Sequence, residues 1–222
     1  MRQTASNNGI LHRIGQSALF IILCSLFISV SACSESDDEA ADEYANWQQR
    51  NDAFFLTLED SVRSNGATWV KWKTYTKDAK TEGVNTDYVY ARLLEKGFGT
   101  DSPIYTDSVR VSYRGRLIPS ASYPQGYVFD QTYTGDFDLR TTDVANSRVS
   151  TYVDGFATAL QHMHLGDRYR VFIPYKLGYN ATARTGIPAY STLIFDVVLI
   201  DFVTGSEPLV PWSARSGRFA NE

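Results

Sequence analysis

The chain has 222 residues, a formal net charge of -4, 43% hydrophobic and 21% charged residues, which is globular composition for one ordinary domain plus appendages. With no basic surplus, general nucleic-acid binding is excluded. Cys24 and Cys33 are its only cysteines, so thiol catalysis, Cys-rich zinc sites and a disulfide framework in the body are excluded too. Tyrosine is abundant (14, against 2 Met), which favours half-buried strands.

Arg2 and Arg13 precede an apolar run from Ala18 to Ala32. That run is shorter than the ~20 residues of a membrane span and reads, over 1–32, as a secretory signal peptide. It ends in Val30-Ser31-Ala32-Cys33, which resembles the lipobox of bacterial lipoproteins. The resemblance implies cleavage before Cys33 and lipidation there; the plainer alternative is ordinary cleavage near Ala32. An acidic tether follows to residue 43, with Glu35, Asp37, Asp38, Glu39, Asp42 and Glu43. A solvated spacer explains it. It is also similar to the acidic lipoprotein export signal of Bacteroidetes, which implies anchoring in the cell envelope, at the outer membrane, facing the periplasm or the outside.

Residues 44–100 read as an N-terminal extension. From Asp42 to Val62, Tyr44, Trp47, Phe54, Phe55, Leu58 and Val62 recur at helical steps, with Asn65-Gly66 as the stop and polar Asn51 as a point where the helix could break. Trp69, Trp72 and Tyr75 lie in a β-prone segment, 84–87 reads as loop, and Tyr88 to Leu94 as a strand. Val109, Val111 and Tyr113 alternate strictly in the next strand, 107–117. A Pro- and Ser-rich loop (118–126) leads to strands at 127–130 and 137–139. A short helix is predicted with Asp154 as N-cap, Phe156, Ala159, Leu160 and Met163 on one face, and Gly166 at its end. Strands at 168–174 and 192–202 flank a loop over 175–190. The predicted fold class is α+β, an antiparallel sheet wrapped around one short helix.

His162 and His164 are predicted to be exposed and to point in different directions, which disfavours a metal site. Arg168 and Arg170 are predicted to be solvated. Residues 204–222 read as a tail in which Trp212 docks on a neighbouring surface.

The blocks Val109 to Leu117, Phe129-Asp130, Gly155 to Met163, Gly166-Asp167-Arg168, Ile173 to Tyr179, Ile187-Pro188 and Ser191 to Val197 resemble, in order and nearly in spacing, the FKBP-type peptidyl-prolyl cis-trans isomerases. The resemblance places an FKBP-like domain over 101–203. It implies a curved sheet half-wrapped around the helix, with an apolar pocket between them. Carried over singly, the catalytic residues are Tyr113, Phe129, Asp130, Tyr179 and Phe195. Phe137, Tyr152, Val153, Phe156 and Ile187 bind substrate. Tyr179 supplies a hydroxyl and Val153 a backbone N–H to the ligand. The implied partners are proline-containing polypeptides, with macrolide immunophilin ligands as candidate occupants, and no cofactor or metal is needed. Phe156 stands where many members carry Trp, and Asn180 where a glycine is usual. These departures keep open a second reading, a non-catalytic peptide- or partner-binding module of the envelope. A weaker third is a structural subunit of an envelope assembly.

If Cys33 is lipidated, metabolic labelling with a fatty acid marks the wild-type chain and is lost in Cys33→Ala. Equal labelling of both would exclude the anchor.

Overall fold

The computed structural model describes residues 43–205 and 207–212. The leader, Cys33 and the tether up to Asp42 lie outside the described residues. No helix among the described residues is long and apolar enough to cross a membrane.

The described chain opens with α1 (Trp47–Ser64), followed by β1 (Trp69–Lys73), β2 (Tyr88–Glu95), β3 (Ser108–Arg116), β4 (Val128–Gln131) and β5 (Ala145–Arg148). Then come α2 (Asp154–Leu160), β6 (Arg168–Ile173) and β7 (Leu193–Val203). All pairings are antiparallel, in the order β1-β2-β6-β7-β3-β4. β5 shares the β4 edge of β3, taking Ser108 to Val111 while β4 takes Arg114 to Arg116.

Strand alternation divides the sheet into two faces. Val111, Tyr113, Val171, Phe195 and Val197 carry one face, against α2. Tyr90, Phe172, Ile194 and Asp196 carry the other. α1 covers part of that outer face: Phe55 meets Tyr90 edge-on at 5.2 Å, and Phe54 lies 6.2 Å from Phe172. Burial of Phe55 and Leu58 stabilises this docking by roughly 1.5–3 kcal/mol each.

Asn51 does not break α1. Its side chain is fully buried; Nδ2 donates to the Trp47 carbonyl (2.7 Å) and Oδ1 accepts the Thr192 N–H (2.7 Å). The polar residue in the apolar stripe is thus a clamp between α1 and the start of β7. Trp47 adds a second bond, from Nε1 to Ser191 Oγ at 2.8 Å. The helix begins at Trp47, later than the periodicity predicted, after Asn46 in left-handed conformation (φ 53°), and ends at Asn65.

Several expectations need correction. Residues 137–139 form no strand. Asp138 instead nucleates a turn, accepting the Arg140 N–H on its carboxylate and the Thr141 and Thr142 N–H groups on its carbonyl. The strand in this region is β5, whose sequence Ala-Asn-Ser-Arg has no apolar alternation to announce it. Val153, not Asp154, is the N-cap of α2, with no side-chain cap bond. Asp154 is the first helical residue, favourable near the positive helix end, and accepts the Tyr75 hydroxyl at 2.9 Å. α2 stops at Leu160, before Met163 and Gly166.

Arg170 is not a solvated side chain. Its Nε and Nη2 grip both oxygens of buried Asp196 (2.6 and 2.9 Å), and Arg116 Nη2 reaches the same carboxylate at 2.9 Å. Arg168 lies over the Phe137 ring. His162 is exposed, as predicted, though stacked on Trp72. His164 is half-buried, with Nδ1 3.2 Å from the fully buried Asp167 carboxylate. In the tail, Trp212 packs over the Arg110 guanidinium.

Asn51→Ala leaves the buried Thr192 N–H without its partner and removes the second bond to the Trp47 carbonyl, which keeps its helical one. It should cost about 1–3 kcal/mol in a urea unfolding titration. A loss below about 0.5 kcal/mol would show that the clamp carries no weight.

Candidate active site

α2 lies on the inner face of the sheet with every residue from Gly155 to Leu160 buried. Gly155 permits the approach, since a Cβ there would sit 2.2 Å from Ile173 Cγ2. Between α2, the sheet and the loop after β6 is a cavity of about 510 Å³.

Its floor and walls are aromatic. Phe156, 2% exposed, meets Phe195 edge-on with centroids 4.8 Å apart. Phe129 meets Phe195 the same way at 5.5 Å. Tyr113 closes the set, 6.0 Å from Phe156 and 5.8 Å from Phe195, and Tyr152 lies 4.7 Å from Phe156. Gly115 makes this wall possible. A Cβ there would come within 2.7 Å of both the Phe129 and the Phe195 rings.

Polar groups are few. Tyr113 donates its hydroxyl to Asp130 Oδ2 at 2.6 Å. Burial first, and the bond to Asp130 second, hold the Tyr113 phenol well above its ordinary pKa. Burial, with the Asp130 charge second, pushes Tyr152 up to about 12, and its buried hydroxyl has no hydrogen-bond partner. Val153 lines the cavity at the head of α2, where backbone N–H groups precede the helical ladder.

The remaining wall is the loop over 175–190. The Asn180 N–H donates to the Tyr175 carbonyl, and the Tyr190 N–H to the Asn180 carbonyl, both at 2.8 Å. Asn180 has φ 55°, so asparagine supplies the left-handed turn for which glycine is usual. The loop brings Tyr179 and buried Ile187 to the cavity.

Of the ten candidate pocket residues, Tyr113, Phe129, Asp130, Tyr152, Val153, Phe156, Tyr179, Ile187 and Phe195 line this one cavity. Phe137 does not. It packs on Tyr133 at 5.4 Å and under Arg168, because the Asp138 turn carries it away. The sequence reading missed Thr151, Arg184 and Thr185, which also line the cavity. Arg184 and Thr185 lie between Tyr179 and Ile187 in the chain, and that bracketing was the available signal. Among the described residues no three His, Asp or Glu side chains converge as a metal site would require.

Residues 99–200 match the family model of the FKBP-type peptidyl-prolyl cis-trans isomerases. The chain is 29% identical over 188 residues to the macrophage infectivity potentiator of Trypanosoma cruzi, covering 84% of this chain and 85% of that protein. It is 35% identical over 148 residues to the FKBP-type peptidyl-prolyl cis-trans isomerase FkpA of Escherichia coli K12, covering 65% of this chain. It spans about half (48%) of that relative's length. The crystal structure of a peptidyl-prolyl cis-trans isomerase from Pseudomonas syringae aligns with a TM-score of 0.48 at 22% identity, over 78% of this chain and all of that one. Residues 99–200 are thus the stretch of this chain that matches the FKBP-type peptidyl-prolyl cis-trans isomerases, and that stretch gathers nine of the ten candidate pocket positions on one cavity.

Proposed function

We propose that the cavity isomerises X-Pro bonds of exported polypeptides as they fold, by removing water from the amide rather than by proton transfer. The barrier is about 18–20 kcal/mol because conjugation between nitrogen and carbonyl keeps the amide planar. Conjugation places negative charge on the carbonyl oxygen, and water stabilises that separated form. A prolyl ring seated on Phe156, between Phe129 and Phe195, loses that water. The twisted state, in which the nitrogen is less conjugated, suffers less from the loss. Tyr179 can offer its hydroxyl, and Val153 its N–H, to the turning carbonyl. Tyr113 directs its own hydroxyl to Asp130, and so fixes that carboxylate at the cavity edge.

The observation that carries this reading is the edge-to-face box of Tyr113, Phe129, Phe156 and Phe195, with so few polar groups beside it. The lipobox and tether support a site of action at the cell envelope, with Cys33 as the lipid anchor. A macrolide immunophilin ligand would compete for the same apolar floor.

An exchange assay on X-Pro peptides tests the mechanism. Tyr179→Phe removes one neutral hydrogen bond of about 0.5–1.5 kcal/mol and should lower kcat/KM by roughly 2- to 10-fold. Phe195→Ala readmits water and should cost roughly 10- to 100-fold, or about 1.4–2.7 kcal/mol of barrier. Activity should be flat between about pH 6 and 8, since Tyr113 and Tyr152 stay protonated there and no histidine lines the cavity. A steep titration near pH 6.5, or complete loss in Tyr179→Phe with the fold intact, would indicate proton transfer instead. Peptide binding without turnover would support the binding-module reading.

A further inference from the structure

The cavity edge carries two charged side chains, and they are not alike. Asp130 is engaged, its Oδ2 accepting the Tyr113 hydroxyl. Arg184 is exposed, and no carboxylate among the described residues lies within ion-pair distance of it. Its guanidinium carbon sits 5.3 Å from the centroid of the Tyr179 ring, held by attraction of the cation to the ring face. The backbone below it is fixed. Arg184 and Ile187 exchange both hydrogen bonds (2.8 and 2.9 Å) across a tight turn, with Gly186 at φ 71°.

We infer that Arg184 makes this site select prolines preceded by an acidic residue. The inference rests on the isomerase reading of the cavity. The residue before proline supplies the carbonyl that the Tyr179 hydroxyl can bind. Its side chain leaves from the carbon next to that carbonyl, and so passes the Tyr179 ring where the guanidinium lies. A Glu or Asp there completes the missing ion pair at a mouth partly shielded by aromatic walls. A Lys or Arg there meets a like charge, which guanidinium cannot relieve by losing its proton. Asp130 lines the same cavity with its Oδ2 directed to the Tyr113 hydroxyl, whereas among the described residues the Arg184 guanidinium has only the Tyr179 ring beside it.

The test uses capped peptides Ala-Xaa-Pro-Phe with Xaa as Glu, Gln or Lys, the mature chain, and protease-free NMR exchange, so that no coupling enzyme imposes its own preference. At low salt kcat/KM should fall in the order Glu, Gln, Lys, with Glu exceeding Lys by roughly 4- to 20-fold, the range of two exposed charge effects. The ratio should shrink towards 1 at about 1 M salt, where screening acts over ~3 Å. Arg184→Gln should flatten the ratio and Arg184→Glu invert it, with circular dichroism confirming the fold. Equal rates for Glu and Lys in the wild type, or an order that survives Arg184→Glu, would overturn the inference. Absence of turnover on all three peptides would overturn the isomerase reading itself. Chemical-shift titrations with the same peptides would then decide the charge preference by affinity, through the same ratios.

Discussion

The site depends on one steric constraint, the absence of a Cβ at two glycines that face the inner side of the sheet. A seven-residue helix such as α2 is too short to be stable alone in water, so it persists only by burial. Gly155 lets it settle against Ile173, which fixes the height of Phe156 above the sheet. Gly115 lets the rings of Phe129 and Phe195 close over β3. The register of β3 with β7 places Gly115 directly opposite Phe195, so backbone pairing itself brings ring and gap together. The cavity is the space that remains once helix and rings are held at these separations.

The N-terminal extension is tied to this arrangement mechanically. Asn51 and Trp47 bond to Thr192 and Ser191, which lie directly after the loop carrying Tyr179, Arg184 and Ile187. One end of the loop between β6 and β7 is therefore clamped by α1. On the same outer face Asp196 is held between Arg116 and Arg170, next to Phe195 in β7. Burial lowers the Arg116 pKa, yet guanidinium remains charged far above neutrality, so this cluster stays ionic. The same strand thus presents an aromatic wall inward and an ionic cross-link outward.

Much of this was legible in the sequence. Strict alternation at Val109, Val111 and Tyr113 announced β3, and the ordered blocks placed nine residues on one cavity. The failures have physical causes. Phe137 sits next to Asp138, whose carboxylate and carbonyl bind three following N–H groups and turn the chain away. β5 is paired through its backbone and lacks an apolar face, so its residues carry no periodic signal. Asn51 and Arg170 read as a helix breaker and a solvated charge because their partners, Thr192 and Asp196, are 141 and 26 residues away. Arg184 went unnoticed because an exposed arginine in a loop has no pattern until Tyr179 is placed beneath it.

The central claim is that the amide twists in a dry aromatic box. A crystal structure of the chain with a bound X-Pro peptide addresses it most directly. The account predicts the prolyl ring on Phe156 between Phe129 and Phe195, with no ordered water against the amide nitrogen. A prolyl ring seated outside these walls, or a water held on that nitrogen, would contradict it.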